Sequence, residues 1–521
     1  MSTDRYDVVV VGGGHNGLVA AGYLAQAGRS VLLLERLDHL GGAAVSEAAF
    51  PGVDVRLSKF SYLVALLPDR IVSDLGLTVR LVDRAVASYT PFARDGRDLG
   101  LLVERPDGAA TRASFAEVTG SDREYTAWHE FYGRFEVLAQ DLAPSLLEPL
   151  AALPTVRAGL RDPELLTELC QRPLADVIGS RFTDDVVAGV VLTDGLVGTF
   201  ADLHAADGRA GACFLYHLIG NGSGQWRVPV GGMGAVTASM SAAARGFGAT
   251  LVTGATVTSV DVDATGGGVR WLDSDGGEHT VGAGAVVSGV APSVLSTLRG
   301  GAGPVERPVG AQVKINMVLR RLPRLRSGID PAVALAGTMH VAESASDLDN
   351  AYTMARRGAL PDPLPFEVYC HSLADPSILG PAERAAGYQT LTLFAMQTPV
   401  QLFDTDNDGG RAEATRLAMA GMDAVLAEPL EDCLARDGDG NRCLQTATPV
   451  DLEQLIGMTG GNIFHGDLSW PFAADEAQVG TWGVETDLPT LVHANAGGAV
   501  RGGGVSGIGG HNAAMALLAR R

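Results

Sequence analysis

Lysine is nearly missing from this chain. Of its 39 basic residues only Lys59 and Lys314 are lysines, so each stands out against a background of arginine. Positive charge is also in deficit: 60 acidic residues bring the net charge to −21, which argues against nucleic acid or an anionic membrane surface as a partner. Cysteine is sparse and scattered. Cys170, Cys213, Cys370, Cys433 and Cys443 form no Cys-x-x-Cys pair, which removes dithiol redox chemistry, disfavours structural zinc and fits small buried apolar residues in a reducing cytoplasm. No uncharged apolar run reaches the about 18 residues that a membrane span needs. The first strand opens near Tyr6, which leaves no room for a signal peptide. No Ser-His-Asp order and no metal-ligand spacing stands out, so no metal site is expected.

What is present begins at once. Asp7-Val8-Val9-Val10-Val11 reads as a buried strand and leads into Gly12-Gly13-Gly14-His15-Asn16-Gly17, a helix to about Ala27, and a second strand ending in Leu32-Leu33-Leu34-Glu35. This order suits the ADP half of a dinucleotide. Gly12 permits the tight turn, Gly14 lets the backbone approach the pyrophosphate, and Gly17 lets the helix pack on the strand. The helix, with Asn16 at its start, aims its first N–H groups at the phosphates. Glu35 ends the second strand, where a carboxylate can accept from ribose hydroxyls. The glycine spacing alone is weak, since Gly502, Gly504 and Gly507 repeat it; the two flanking strands and the acid separate the first match from the second. No second complete fingerprint exists, so no dedicated nicotinamide-nucleotide domain is expected.

Farther on, Gly231-Gly232-Met233-Gly234 precedes a helical pattern at about 235–246. Thr250-Leu251-Val252 and the alternating run 255–262 read as strands, 269–281 as a hairpin, and Ala285–Ser288 as a further buried strand. Leu491-Val492-His493-Ala494 and a glycine-rich stretch close the chain. Residues 115–220 have helical spacing, 310–400 alternate in short strands, and 411–426 form a helix. The expected fold is α/β: a discontinuous Rossmann-type domain over 1–70, 225–300 and 480–521. A mixed-sheet substrate domain over 71–224 and 301–479 is inserted into it, with a helical lid region at about 115–220.

These motifs resemble phytoene-desaturase-type flavoproteins. The resemblance rests on Gly12 to Leu18, on Leu34-Glu35-Arg36 with Gly41-Gly42-Ala43-Ala44, on Gly231–Gly234, and on Gly502-Gly503-Gly504-Val505. Val313-Lys314-Ile315-Asn316 and Thr459 to His465 are similar to the branch labelled pyridine nucleotide-disulfide oxidoreductase domain-containing proteins, although the dithiol in that label is absent here. The resemblance implies FAD and a fold shared with amine oxidases and carotenoid desaturases. It implies that Arg36, Gly42 and Ala43 pass close to the pyrophosphate and ribityl, and that Val257 holds the adenine through its backbone. It also implies that Gly503, Gly504 and Val505, at a helix N-terminus, face the flavin pyrimidine edge. The family often carries His-Pro before these glycines; Val500-Arg501 stands there instead.

The implied activity is an FAD-dependent oxidoreductase, a dehydrogenase, desaturase or oxidase. It would draw hydride from a largely apolar small molecule to form C=C or C=N and pass electrons to oxygen, a quinone or another acceptor. A redox-neutral polyene isomerase or saturase, and a non-catalytic flavin-holding interaction protein, remain alternatives. Desaturases of this family meet membranes through an apolar face, but no basic amphipathic segment suggests that here. Lys314 resembles the strand lysine that amine-oxidase-type proteins place beside flavin N5 through a water; the plainer reading is an edge-strand lysine reaching solvent. Lys59 follows the FAD motifs closely enough to line the site, or lies on the surface. His15 is read first as a helix cap and second as a residue facing the flavin. Tyr216, His217 and His465 are general-base candidates, each otherwise a hydrogen-bonded structural residue. The sequence leaves the oligomeric state open.

Overall fold

Val8 to Val11 offer no polar side chain to water, and they form the inner end of strand Arg5–Val11, which is paired in parallel on both sides. Val9 lies opposite Leu32 of strand Val31–Leu34 and Val286 of strand Glu278–Ser288. A strand covered on both faces accounts for the unbroken valines. The structure, a computed structural model, describes residues 5–301 and 306–520; residues 1–4, 302–305 and 521 of the expected segments lie outside the described residues.

The first sheet runs in the order Thr256–Asp263, Gly266–Leu272, Glu278–Ser288, Arg5–Val11, Val31–Leu34, Thr250–Val252, with Leu491–His493 added beside Glu278–Ser288. Three distant stretches of sequence therefore build one sheet. The hairpin after Val269 is longer than its sequence pattern suggests. Its second strand continues to Ser288, antiparallel to Gly266–Leu272 at its start and parallel to Arg5–Val11 and Leu491–His493 at its end.

Helix His15–Gln26 lies against this sheet and packs on helices Met233–Gly246 and Ile508–Leu518. The approach is too close for side chains. A Cβ on Gly17 would stand 2.1 Å from the Gly12 carbonyl oxygen, and one on Gly510 would stand 2.1 Å from that of Asn16. The last helix starts at Ile508 rather than at Val505, because Gly507 takes a left-handed conformation (φ +73°) that ends the preceding loop.

The second sheet is ordered Leu444–Ala447, Val313–Leu319, Gln389–Ala395, Phe366–Tyr369, Thr338–Val341, Val86–Arg94, Arg97–Glu104. The hairpin 86–104 is a strand pair that the sequence reading does not anticipate; it joins the sheet through Ser88 and Tyr89, opposite Thr338 and Met339. Between Ala109–Thr119 and Arg209–Ile219 the chain is helical, as expected, around a buried aromatic set that includes Phe131, Phe135, Phe182 and Phe214. Among the described residues no helix is long and apolar enough to cross a membrane.

Candidate active site

The glycine turn, the second strand and the 41–44 segment enclose one cleft. Gly12, Gly14, His15, Asn16, Gly17, Glu35, Arg36, Gly42, Ala43 and Val257 all line it. Glu35 is buried, and both of its oxygens accept backbone N–H groups: Oε2 from Gly13 at 2.7 Å and Oε1 from Leu37 at 2.8 Å. This fixes the turn and leaves further lone pairs for a hydroxyl. Gly41 donates its N–H to the Gly13 carbonyl, and a Cβ on Gly42 (φ +58°) would stand 3.1 Å from the Gly14 Cα. Two glycine backbones thus lie directly on one another. Arg36 is exposed at the cleft rim and donates to the Leu455 carbonyl.

His15 is not the helix cap. Gly14 holds the N-cap position and no side chain bonds there, so the first-turn N–H groups, which have no intrahelical acceptor, open into the cleft. The His15 Nε2 is buried without a partner, as are the Asn16 Oδ1 and the His465 Nδ1. His465, in a left-handed backbone conformation (φ +61°), lines the same cleft. Desolvation pulls His15 and His465 each down to about 4, so both imidazoles are neutral at pH 7.

At His15, Ala43 and Met458 the cleft meets a second chamber, lined also by Tyr62, Tyr216, His217, Phe394 and Gly503, Gly504 and Val505. The two ends of the sequence therefore meet, as expected. Gly503 (φ +138°) and Gly504 (φ +29°) lay backbone against this chamber. Tyr216 is buried, with its hydroxyl 3.4 Å from the Val500 carbonyl. The His217 Nδ1 lies 2.9 Å from the Cys213 carbonyl, which requires the proton on Nδ1 and leaves the lone pair on Nε2. Its ring stacks on Trp226 at 5.3 Å, and burial pulls it down to about 4. Arg501, the departure from the resembled pattern, is fully buried. It donates to the carbonyls of Ser145, Glu148 and Trp482, so it anchors the glycine loop from behind.

Lys314 sits mid-sheet and is 3 % exposed, so it is not an edge lysine reaching solvent, and its Nζ lies 5.2 Å from the ring centroid of Phe394, which lines the chamber. Its Nζ donates to the carbonyls of Ser58 (2.7 Å) and Ser61 (3.1 Å), and burial pushes the ammonium well below its usual range. It ties the strap that carries Phe60 and Tyr62 to the second sheet. Lys59 pairs with Glu47 at 2.8 Å. Both lysines line a separate cavity behind the strap, with Arg411 and Asp451.

Beside the chamber lies a cavity of about 420 Å³, which shares Tyr62, Leu63, Val197, His217 and Trp226 with it. Its wall is not the apolar one expected for an apolar substrate, since Arg84, Arg105, Asp194, His340 and Glu367 line it. The sequence reading missed these residues. Asp194 was marked by its isolation inside the apolar run 186–197, but nothing local distinguishes Arg84 or Arg105 from other arginines. The helical region supplies Trp128, Tyr132 and Phe135 to one wall.

The family of NAD(P)-binding Rossmann-like domains matches residues 10–67. Over 99 % of its length the chain is 48 % identical to an uncharacterised protein of Mycobacterium tuberculosis, 97 % of which is covered. It is 30 % identical to pyridine nucleotide-disulfide oxidoreductase domain-containing protein 2 of Rattus norvegicus, over 98 % of this chain and 93 % of that one. Among solved structures, cyclohexylamine oxidase from Brevibacterium oxydans is similar in fold, with a TM-score of 0.55 at 14 % identity, covering 99 % of this chain and 100 % of that one. The chain belongs to the family of pyridine nucleotide-disulfide oxidoreductase domain-containing proteins and shares its fold with cyclohexylamine oxidase.

Proposed function

We propose that the protein is an FAD-dependent oxidoreductase that takes hydride from a small molecule in the large cavity. The observation that carries this reading is the continuous path from Glu35, along the glycine turn, past His15, to the chamber under Gly503 and Gly504. The donor set fits FAD. Three buried polar atoms, on His15, Asn16 and His465, face this path unpartnered, and a Cβ on Gly14 would meet nothing nearer than the Gly42 Cα at 4.0 Å, which leaves open space beside the turn.

Glu35 would hold the ribose, Val257 the adenine, and the first turn of helix His15–Gln26, with Gly42 and Ala43, the phosphates. Gly503, Gly504 and Val505 would bound the ring edge with backbone N–H groups, which favour negative charge there. Bound FAD supplies the hydride acceptor. His217, neutral and with its lone pair on Nε2, takes the substrate proton at the chamber wall, while Tyr62, Tyr216 and Trp226 orient the substrate and exclude water. The product is a C=C or C=N bond, and the electrons leave to oxygen, a quinone or another acceptor. Segments 1–70, 225–300 and 480–521 form the cofactor half, 71–224 and 301–479 the substrate half, and the helical region is the lid. Five free cysteines suit a reducing cytoplasm.

The test is the visible spectrum of the purified protein, followed by anaerobic bleaching against a metabolite panel. Stoichiometric FAD that a metabolite bleaches is expected. A well-folded, colourless protein that takes up no added FAD overturns the proposal.

A further inference from the structure

Two arginines reach the 420 Å³ cavity without a close ion pair among the described residues, although Glu367 lies near Arg84 and Asp194 and Glu136 near Arg105. Arg84 is 8 % exposed. Its Nε donates to the Trp226 carbonyl at 3.0 Å and its Nη1 to the Thr338 hydroxyl at 2.9 Å, and its guanidinium lies 5.8 Å from the Tyr369 ring centroid. Arg105 is half-buried just past strand Arg97–Glu104. Among the described residues its guanidinium has no acceptor, and neither arginine is in an ion pair. A guanidinium withdrawn from water without a partner is costly, and a bidentate anion relieves that cost best.

Five acids share the wall: Glu136 is exposed and, among the described residues, accepts only from the Gln140 amide at 3.3 Å, and three of the others have closer partners. Asp107 pairs with His129 at 2.5 Å, Glu104 accepts from Thr111, and Glu367 accepts the Tyr62 hydroxyl at 2.9 Å. Asp194 has no partner among the described residues. Burial, with Glu367 and Glu343 nearby, raises its carboxyl well above the usual range, and the Arg105 guanidinium opposes that rise. The end shared with the chamber, at Tyr62, Leu63, Val197 and Trp226, is largely apolar and aromatic. The cavity therefore has one greasy end facing the chamber and a polar stretch, bearing both arginines, most of which is not part of the chamber wall.

We propose that this cavity binds a small amphipathic organic anion, with its carboxylate or phosphate held by Arg84 and Arg105 and its apolar end against Tyr62 and Trp226. That this ligand is the substrate rests on the FAD reading above; that the cavity binds anions does not. At about 420 Å³ it suits a metabolite-sized ligand.

The test uses the full-length protein as purified, with benzoate and phenyl phosphate as probes and benzylamine and benzyl alcohol as controls. Binding is read by calorimetry and by quenching of tryptophan fluorescence, since Trp128 and Trp226 line the cavity. At least one anion is expected to bind one to one and more tightly than both controls, and the tighter of the two identifies the anion class. Arg105→Gln, at a site without protein partners, is expected to weaken that anion by about tenfold or more while leaving the flavin content unchanged, and Arg105→Lys to recover part of the loss. Tighter binding of benzylamine, or wild-type anion affinity in Arg105→Gln, overturns the proposal. The flavin absorbance of the same sample reports separately on the cofactor: colourless protein that binds benzoate upholds this site and removes the FAD reading, and yellow protein that prefers benzylamine does the reverse.

Discussion

Replacing Glu35 by glutamine tests the nucleotide cleft where its geometry is tightest. Both carboxylate oxygens accept a backbone N–H, from Gly13 at 2.7 Å and from Leu37 at 2.8 Å. Glutamine matches the shape but offers one carbonyl oxygen and one NH2 group, so whichever way the amide turns, one backbone donor faces another donor. The loss is one charge-assisted hydrogen bond, about 1.5–3 kcal/mol. Gly13 belongs to the turn that would approach the pyrophosphate, and the ribose loses an acceptor as well. Borne wholly by the cofactor, the loss lowers FAD affinity by about 10- to 150-fold; shared with folding, it lowers Tm by a few degrees. Titration of apo-protein with FAD, followed by flavin fluorescence, gives the Kd, and thermal melts with and without FAD separate the two shares. Glu35→Gln protein with the wild-type Kd and the wild-type Tm would refute the reasoning.

Gly17→Ala places a methyl 2.1 Å from the Gly12 oxygen; the helix must shift, with a stability loss of about 1–3 kcal/mol and loss of FAD, checked by denaturant unfolding and flavin content. His217→Asn keeps the FAD content but slows anaerobic bleaching about a hundred- to ten-thousand-fold, measured by stopped flow with any substrate that bleaches the wild type. His15, His217 and His465 all titrate in the folded state at about 4, below the ordinary 6.5. The unfolded chain therefore takes their protons first, and stability present above pH 6.5 is lost as the pH falls towards 4. Each contributes about 2 kcal/mol to the drop between pH 7 and pH 5, and urea midpoints that stay flat across that range would contradict the assignment.

The glycine turn was legible because each requirement there is local: Gly12, Gly14 and Gly17 serve a turn and a contact within six residues of chain. The split sheet followed from the same logic, since Ala285–Ser288 and Leu491–His493 are apolar runs too short to stand alone. What failed depended on partners remote in sequence. Lys314 was visible as a strand residue, but the carbonyls of Ser58 and Ser61 that hold it come from another part of the chain. His15 looked like a cap because it opens a helix; the cap position belongs to Gly14, which pushes the imidazole into the cleft instead. The hairpin 86–104 carries Pro91 within a strand, which weakens its pattern. The largely apolar substrate was a reading from the resemblance, and nothing in it pointed to Arg84 and Arg105 on a cavity wall.

The meeting of the glycine turn with Gly503 and Gly504 has a consequence for biosynthesis. The phosphate cradle is synthesised long before Gly503 and Gly504, which form a wall of the chamber, and Arg501 can clamp that wall only against a folded 145–148 segment. A chain cut short before Gly503 would therefore present the glycine turn without the wall that Gly503 and Gly504 give the chamber.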